Sequence, residues 1–418
     1  MKFFFSSIFI LTASIFYGSD LTRFEENGKV GFKNFSTGKI EIKAQFQAAD
    51  VFCNGIAQAK LNDKWGFINE KGKWIIEPIY QGTNYFSDGT APVKLNDKWG
   101  FINEKGKWII EAIYQDARFF EYGIAPVKLN DKWGFIRENG EWVIKPEFQK
   151  LDPFFNNYAR VVVDGKYGLL DRSLKYKIKP QDDELGPYVS DGFISVKNSE
   201  GKWGFIDIDN GSRIKCAYDD VDRFFNGFAP VEVDKKWGII NKKGEMVIKP
   251  LYAATSSFDS CSLALIQVEN RRFGFINKKG EIAIAPQFRY VSPFSPDGIA
   301  MVRLEDRTRA LIDTTGKVIV HEKDFFENLA KFKKNDKFGF LYYNGLTQIP
   351  PRFEDARDFH EGLAAVKETD KWGYIDRHGN WIIQNNYENA EDFKDDKGRV
   401  MQNGKWFHID KKGKPFIN

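Results

Sequence analysis

The sequence predicts an all-β tandem array of about twelve three-stranded meanders, each about 34 residues long. Three observations carry that expectation. Lys60 to Tyr80 reads KLNDKWGFINEKGKWIIEPIY and returns at Lys94 to Tyr114 with one change, Pro78 to Ala112. Self-similarity at a fixed period of this length is the signature of a repeat architecture. Aromatics make up 16% of the 418 residues, Gly numbers 36, and no long Ala, Leu and Glu stretch occurs, which favours strands and tight turns over helices. Finally, an aromatic residue before Gly, or its degenerate equivalent, marks twelve slots: Val30, Trp65, Trp99, Trp133, Tyr167, Trp203, Trp237, Phe273, Arg309, Phe338, Trp372 and Trp406. Twelve units exceed the blade number of a propeller and each is shorter than its usual repeat. The expectation is therefore an open, curved superhelix, with one or more closed propeller-like rings as the alternative.

Taken in order, the chain opens on residues 1–19, where Met1 and Lys2 precede an uncharged run from Phe3 to Tyr17. That run is shorter than the roughly 20 apolar residues needed to span a bilayer and reads as an export signal. Residues 20–418 form the array, with a degenerate first unit at 20–55 and a degenerate last unit at 395–418 serving as caps. Within a unit, Ala91 to Leu95 and Lys98 to Ile102 flank Asn96 and Asp97. Other units place Asp164 and Gly165, or Asn403 and Gly404, in that slot. Such pairs favour the type I′ turn, whose two central residues need positive φ. The third run, Lys107 to Glu111, follows a polar turn ending in Gly106, and Pro78, Pro146, Pro180, Pro250, Pro286 and Pro351 are expected to end it.

Connections between units are patterned too. Tyr80 and Phe86, Tyr114 and Phe120, and Tyr387 and Phe393 each stand six residues apart. The second ring of each pair is expected to tuck under the sheet, and Gly89, Gly123, Gly227 and Gly362 to turn the chain into the next strand. Trp65 and Phe67 share one face of their strand by the period of two, so Gly66 lies on the other, with something packed close over it.

The sum of 62 basic and 58 acidic residues leaves a net charge of +4 with both signs mixed, so nucleic-acid binding has no electrostatic support. Cys53, Cys216 and Cys261 fall in unrelated slots and form neither a disulfide framework nor a zinc pattern. His321, His360, His378 and His408 show no metal-ligand spacing and read as solvated. Neither a phosphate-cradling Gly loop nor a nucleophile elbow appears. No metal, cofactor or catalytic residue is therefore expected. All eleven Trp fall into two slots. The slot before Gly reads as an aromatic core post. The second, at Trp74, Trp108, Trp142 and Trp381, tolerates Tyr176, Met246 and Thr347. Trp74, Trp108 and Trp142 could thus form an exposed row able to stack on sugars or anchor a partner, although simple edge packing is the favoured reading of the slot.

The phrase KWGFINEKGKWIIEP, with Trp65, Gly66, Gly72, Pro78, Tyr80, Phe86, Gly89, Ala91 and Val93 in order, resembles the WG-repeat (KWG-repeat) family of bacterial proteins over nearly everything from Val30 to Asn418. Arg309 and Trp406 head units that depart from it. The resemblance implies a β-rich repeat fold, an interaction role and no catalytic residues. The functional expectation is a non-enzymatic scaffold, secreted or in the periplasm and cell envelope, that binds a protein partner and has no membrane span once the signal is removed. The alternative is a cell-wall or glycan-binding module using Trp74, Trp108 and Trp142.

Overall fold

The computed structural model describes residues 19–416, so all of the expected export signal except Ser19 lies outside the described residues. Twelve small antiparallel sheets follow one another along the chain, and none closes into a barrel. No α-helix occurs among the described residues, which hold a single 3-10 turn at Glu322–Asp324. The chain divides into two compact bodies, residues 1–181 and 182–418. The first carries five sheets, from Leu21–Glu26 to Tyr176–Asp182, and the second seven, from Glu184–Leu185 to Lys405–Ile409.

One repeat shows how the sequence makes the sheet. Strands Thr90–Leu95, Lys98–Asn103 and Trp108–Tyr114 are the three expected. A fourth strand, Gly82–Thr83, pairs with Lys94 and Val93 along the free edge of the first. Ten of the twelve sheets carry such an extra strand and nine have all four, so the unit is four-stranded, not three-stranded. Two residues are too few to show a period of two, which is why the sequence hides them. Asn96 and Asp97 have φ of 49° and 61°, the type I′ turn their identities favour. Gly106, at φ 76°, closes the second turn by donating its N–H to the Asn103 carbonyl at 2.8 Å. Asn103 Oδ1 accepts from the Lys105 and Lys107 amides, both at 3.0 Å, which explains Asn in that slot.

The residue packed over the Gly of the aromatic-Gly pair is backbone. A Cβ on Gly100 would lie 2.6 Å from the Ile110 carbonyl oxygen and 2.7 Å from the Ala112 nitrogen. Pairing jumps accordingly: Trp99 faces Tyr114 and Phe101 faces Ile110, leaving Glu111 to Ile113 bulged across the glycine. The prolines sit in this bulge. Pro78 lies inside the strand Trp74–Tyr80 and does not end it, because its missing N–H is not needed where the ladder is broken. The chain also contains its own control. Where Arg309 and Ala310 replace the pair, Ala310 pairs directly with His321 and the third strand shrinks to Val318–His321.

The core forms between successive sheets. Connection rings fold back as expected: Phe120 sits 4.7 Å from Phe101 and Phe86 sits 4.6 Å from Phe67, centroid to centroid. Phe101, Tyr114 and Phe120 then meet Ala125, Val127 and Ile136 of the next sheet. Each such ring or aliphatic chain contributes about 1.5–3 kcal/mol on burial. Gly100→Ala is expected to cost roughly 3 kcal/mol by overpacking against fixed backbone. Gly123→Asn, at φ 75° in open space, should cost about 1 kcal/mol or less, because Asn tolerates left-handed backbone. Urea unfolding of the two variants checks the ordering.

Candidate functional site

The two tryptophan slots serve packing. Trp133 and Trp372 are buried, Trp65, Trp99, Trp203 and Trp237 are half-buried, and only Trp406 is exposed. The row Trp74, Trp108 and Trp142 is half-buried, as edge packing requires, and is not an open row for sugar stacking. Each ring is half-buried, with its edge against an aromatic of the preceding repeat: Trp74 on Phe46 at 5.6 Å, Trp108 on Tyr80 at 6.2 Å and Trp142 on Tyr114 at 6.1 Å. Trp381 repeats the arrangement on Phe353 at 6.1 Å. Sequence spacing places these residues in equivalent slots, but only packing between sheets shows that the rings are already occupied.

The apolar surface that stays open lies next to them on the same strands. In the third strands Trp74–Tyr80 and Trp108–Tyr114, Ile76 and Ile110 point inward while Ile75, Ile79, Ile109 and Ile113 point out. Their exposures are 41%, 51%, 41% and 52%. These strands are the outer edge of their sheets, with a hydrogen-bonded neighbour on one side only. Sequence reasoning passed over the four isoleucines, although the period of two within WIIEPIY was the available signal. Leu251 and Ile382 are exposed in corresponding strands of the second body.

The second body also gathers polar residues that the repeat does not dictate. His360 Nε2 lies 3.7 Å from Asp392 Oδ2, and Lys331 Nζ lies 3.2 Å from Asp358 Oδ2. Arg357 stacks over Trp372 at 5.7 Å. Beside them, Tyr374 donates its hydroxyl to the Glu391 carbonyl at 2.7 Å. Burial pushes the Asp392 carboxyl above its ordinary range, Asp358 adds to the push, and His360, Arg357 and Lys331 oppose it. His360 is thus half-buried and paired, unlike the exposed His321, His378 and His408. No serine, threonine or cysteine joins these contacts, so the group resembles an ion-pair lattice more than an acid, base and nucleophile set. Arg118 fills the same slot as Arg357 in the first body. It stacks over Trp133 at 4.7 Å and donates to the Leu151 carbonyl at 2.8 Å, while burial pulls its guanidinium below the usual range.

Among the described residues, no cluster of three or more His, Cys, Asp or Glu is placed to hold a metal ion. No helix there is long and apolar enough to cross a membrane. The three cysteines are free and half-buried.

The pattern of the WG containing repeat family matches ten segments: 36–65, 65–99, 99–133, 133–167, 167–203, 203–237, 237–271, 273–307, 349–372 and 372–406. The chain belongs to the WG containing repeat family. The matches stop at 307 and resume at 349, spanning the sheet in which Arg309 and Ala310 replace the aromatic-Gly pair. A sheet persists where the pair is lost, and the unmatched stretch also holds the intact pair Phe338 and Gly339. No curated protein matches the chain. Among solved structures, the computationally designed Ika8 protein is 13% identical, with 63% of this chain and 93% of that chain covered and a TM-score of 0.29. A eukaryotic initiation factor is 11% identical, with 73% and 96% covered and a TM-score of 0.35. BamB from Moraxella catarrhalis is 12% identical, with 72% and 98% covered and a TM-score of 0.26. TM-scores this low support no conclusion about shape or activity.

Two outcomes follow from the packing and the charge cluster. Trp108→Ala should destabilise the chain by roughly 2 kcal/mol, less than a fully buried Trp because half the ring is already wet. Urea denaturation measures it. Folded Asp392 holds its proton to higher pH than the unfolded chain does. Its contribution to stability is thus complete below the unfolded value of 3.8 and is lost as pH rises through the raised folded value. The stability of Asp392→Asn relative to wild type should accordingly increase as pH rises from 3.8, read as a growing difference in urea midpoints.

Proposed function

We propose that this WG repeat protein is a non-enzymatic scaffold of the cell envelope that docks a protein partner on the outward faces of its third strands. The observation that carries the reading is the set Ile75, Ile79, Ile109 and Ile113, four aliphatic chains open to water at matching positions of two successive sheets. Exposed aliphatic side chains on edge strands suit partner docking, and the unpaired strand edge adds main-chain donors and acceptors. Export rests on the charge and hydropathy pattern of residues 1–19. A glycan-binding role for Trp74, Trp108 and Trp142 draws less support, because these rings are half-buried against the preceding repeat.

A photo-crosslinking side chain at Ile109 should capture one partner saturably from envelope extracts, whereas the same group at the exposed turn residue Lys105 should not. Ile75→Lys with Ile113→Lys should reduce that capture at least tenfold while leaving the unfolding midpoint nearly unchanged. Equal capture at both positions, or capture indifferent to the lysines, would refute the docking face. Cell fractionation that finds the full-length chain in the cytoplasm would remove the envelope assignment.

A further inference from the structure

The outward face of the third strands carries charge in one constant slot of the repeat. In Trp74–Tyr80 and Trp108–Tyr114 the residue between the two exposed isoleucines is an exposed glutamate, Glu77 and Glu111. The next four third strands place an exposed lysine there: Lys145, Lys179, Lys215 and Lys249. In the first body 34 residues separate Glu77 from Glu111, and in the second 34 separate Lys215 from Lys249. Among the described residues, none of these six side chains makes an ion pair or a hydrogen bond. The first strands behave differently. There Lys60, Lys94 and Lys128 pair with Asp63, Asp97 and Asp131 at 3.1, 3.4 and 3.7 Å.

The neighbours of these charges on the same face, two residues away, distinguish the strands. Glu77 stands between Ile75 and Ile79, and Glu111 between Ile109 and Ile113. Lys145 has Val143 and Glu147 beside it, and Lys179 has Lys177 and Gln181. Of the four lysines only Lys249 has large aliphatic chains on both sides, the half-buried Val247 and Leu251, which is 65% exposed. One repeat earlier, Lys215 lies between Ala217 and Arg213, whose guanidinium is taken up by Asp182 at 2.7 Å. Two strands of the first body thus read aliphatic, acid, aliphatic. One strand of the second reads aliphatic, base, aliphatic, with a further base in the strand before it. The pattern is symmetric about its charge, so it meets its complement whichever way the strands run.

We infer that the isoleucine face docks a second copy of this chain. Glu77 and Glu111 of one copy meet Lys215 and Lys249 of the other, and Val247 and Leu251 cover the isoleucines. The inference rests on the docking reading of that face and names its occupant. Unlike surfaces meet, so the contact is head-to-tail and leaves one acidic and one basic face open to further copies unless the assembly closes on itself.

Sedimentation velocity of the purified full chain at about 10 to 300 μM covers contacts of micromolar strength. Its average mass should rise with concentration, and rise less in about 0.5 M salt, where exposed charges are screened. Glu77→Lys with Glu111→Lys should weaken self-association at least about tenfold, as should Lys215→Glu with Lys249→Glu, because each sets like charges face to face. Mixed in equal amounts, the two variants should associate to within about threefold of wild type, since the native acidic face of one then meets the native basic face of the other. Lys145→Glu with Lys179→Glu, where the aliphatic flanks are missing, should change association less than about twofold. All six positions are exposed, and unchanged urea midpoints confirm that the variants fold. In an equal mixture of isotope-labelled and unlabelled chain, zero-length coupling of carboxylate to amine should join Glu111 to Lys249 across copies.

A chain that stays monomeric over that range overturns the inference. So does a variant mixture that fails to associate, a loss at Lys145 and Lys179 equal to that at Lys215 and Lys249, or coupling confined to one copy. A monomeric chain whose Ile109 still captures a different protein overturns this inference alone and leaves the docking face standing. Failure of capture at Ile109, from extract and from the purified chain alike, removes both.

Discussion

Every intact repeat depends on one close approach, the third-strand backbone lying directly over the glycine of the aromatic-Gly pair. With no Cβ at Gly66 or Gly100, the bulged segment can cross at a distance no side chain would permit. That crossing returns the third strand so that Tyr80 faces Trp65 and Ile76 faces Phe67, which puts both inward-facing residues on the side that meets the next sheet. Ala310 shows the consequence within the same chain. Where its methyl replaces hydrogen, Ala310 pairs directly with His321 and the third strand is shortened.

Cohesion between repeats follows from what the crossing exposes. Ile76 packs under the turn of the following repeat, where Gly106 leaves room for it, and Tyr80 meets the edge of Trp108. A small sheet alone would leave these groups wet, and strands this few are marginal in water. Each repeat is therefore stable through its neighbour, as expected where stability is a sum of units and nearest-neighbour interfaces. The same interfaces consume the tryptophans that looked available for ligands. What remains for recognition is the outward side of the third strands and the places where one copy departs from the rest.

Much of the unit was legible. Turn chemistry at Asn96, Asp97 and Gly106, the inward aromatics, the six-residue spacing to Phe120 and the tight packing over Gly66 all follow from local geometry or from a period of two. The strand Gly82–Thr83 was not, because two residues carry no period. Pro78 was misplaced at the strand end, because a bulge that tolerates proline depends on a partner strand the sequence does not display.

Sequence alone determined the repeat, its period, its three longer strands and its turns, since the pattern of each lies within one short stretch of chain. The tertiary structure decided which side chains stay free. Trp108 and Ile109 are adjacent, yet one is held against Tyr80 of the preceding repeat and the other faces water. Exposure depends on what an adjoining sheet covers, and that contact joins residues whose distance along the chain says nothing about their distance in space.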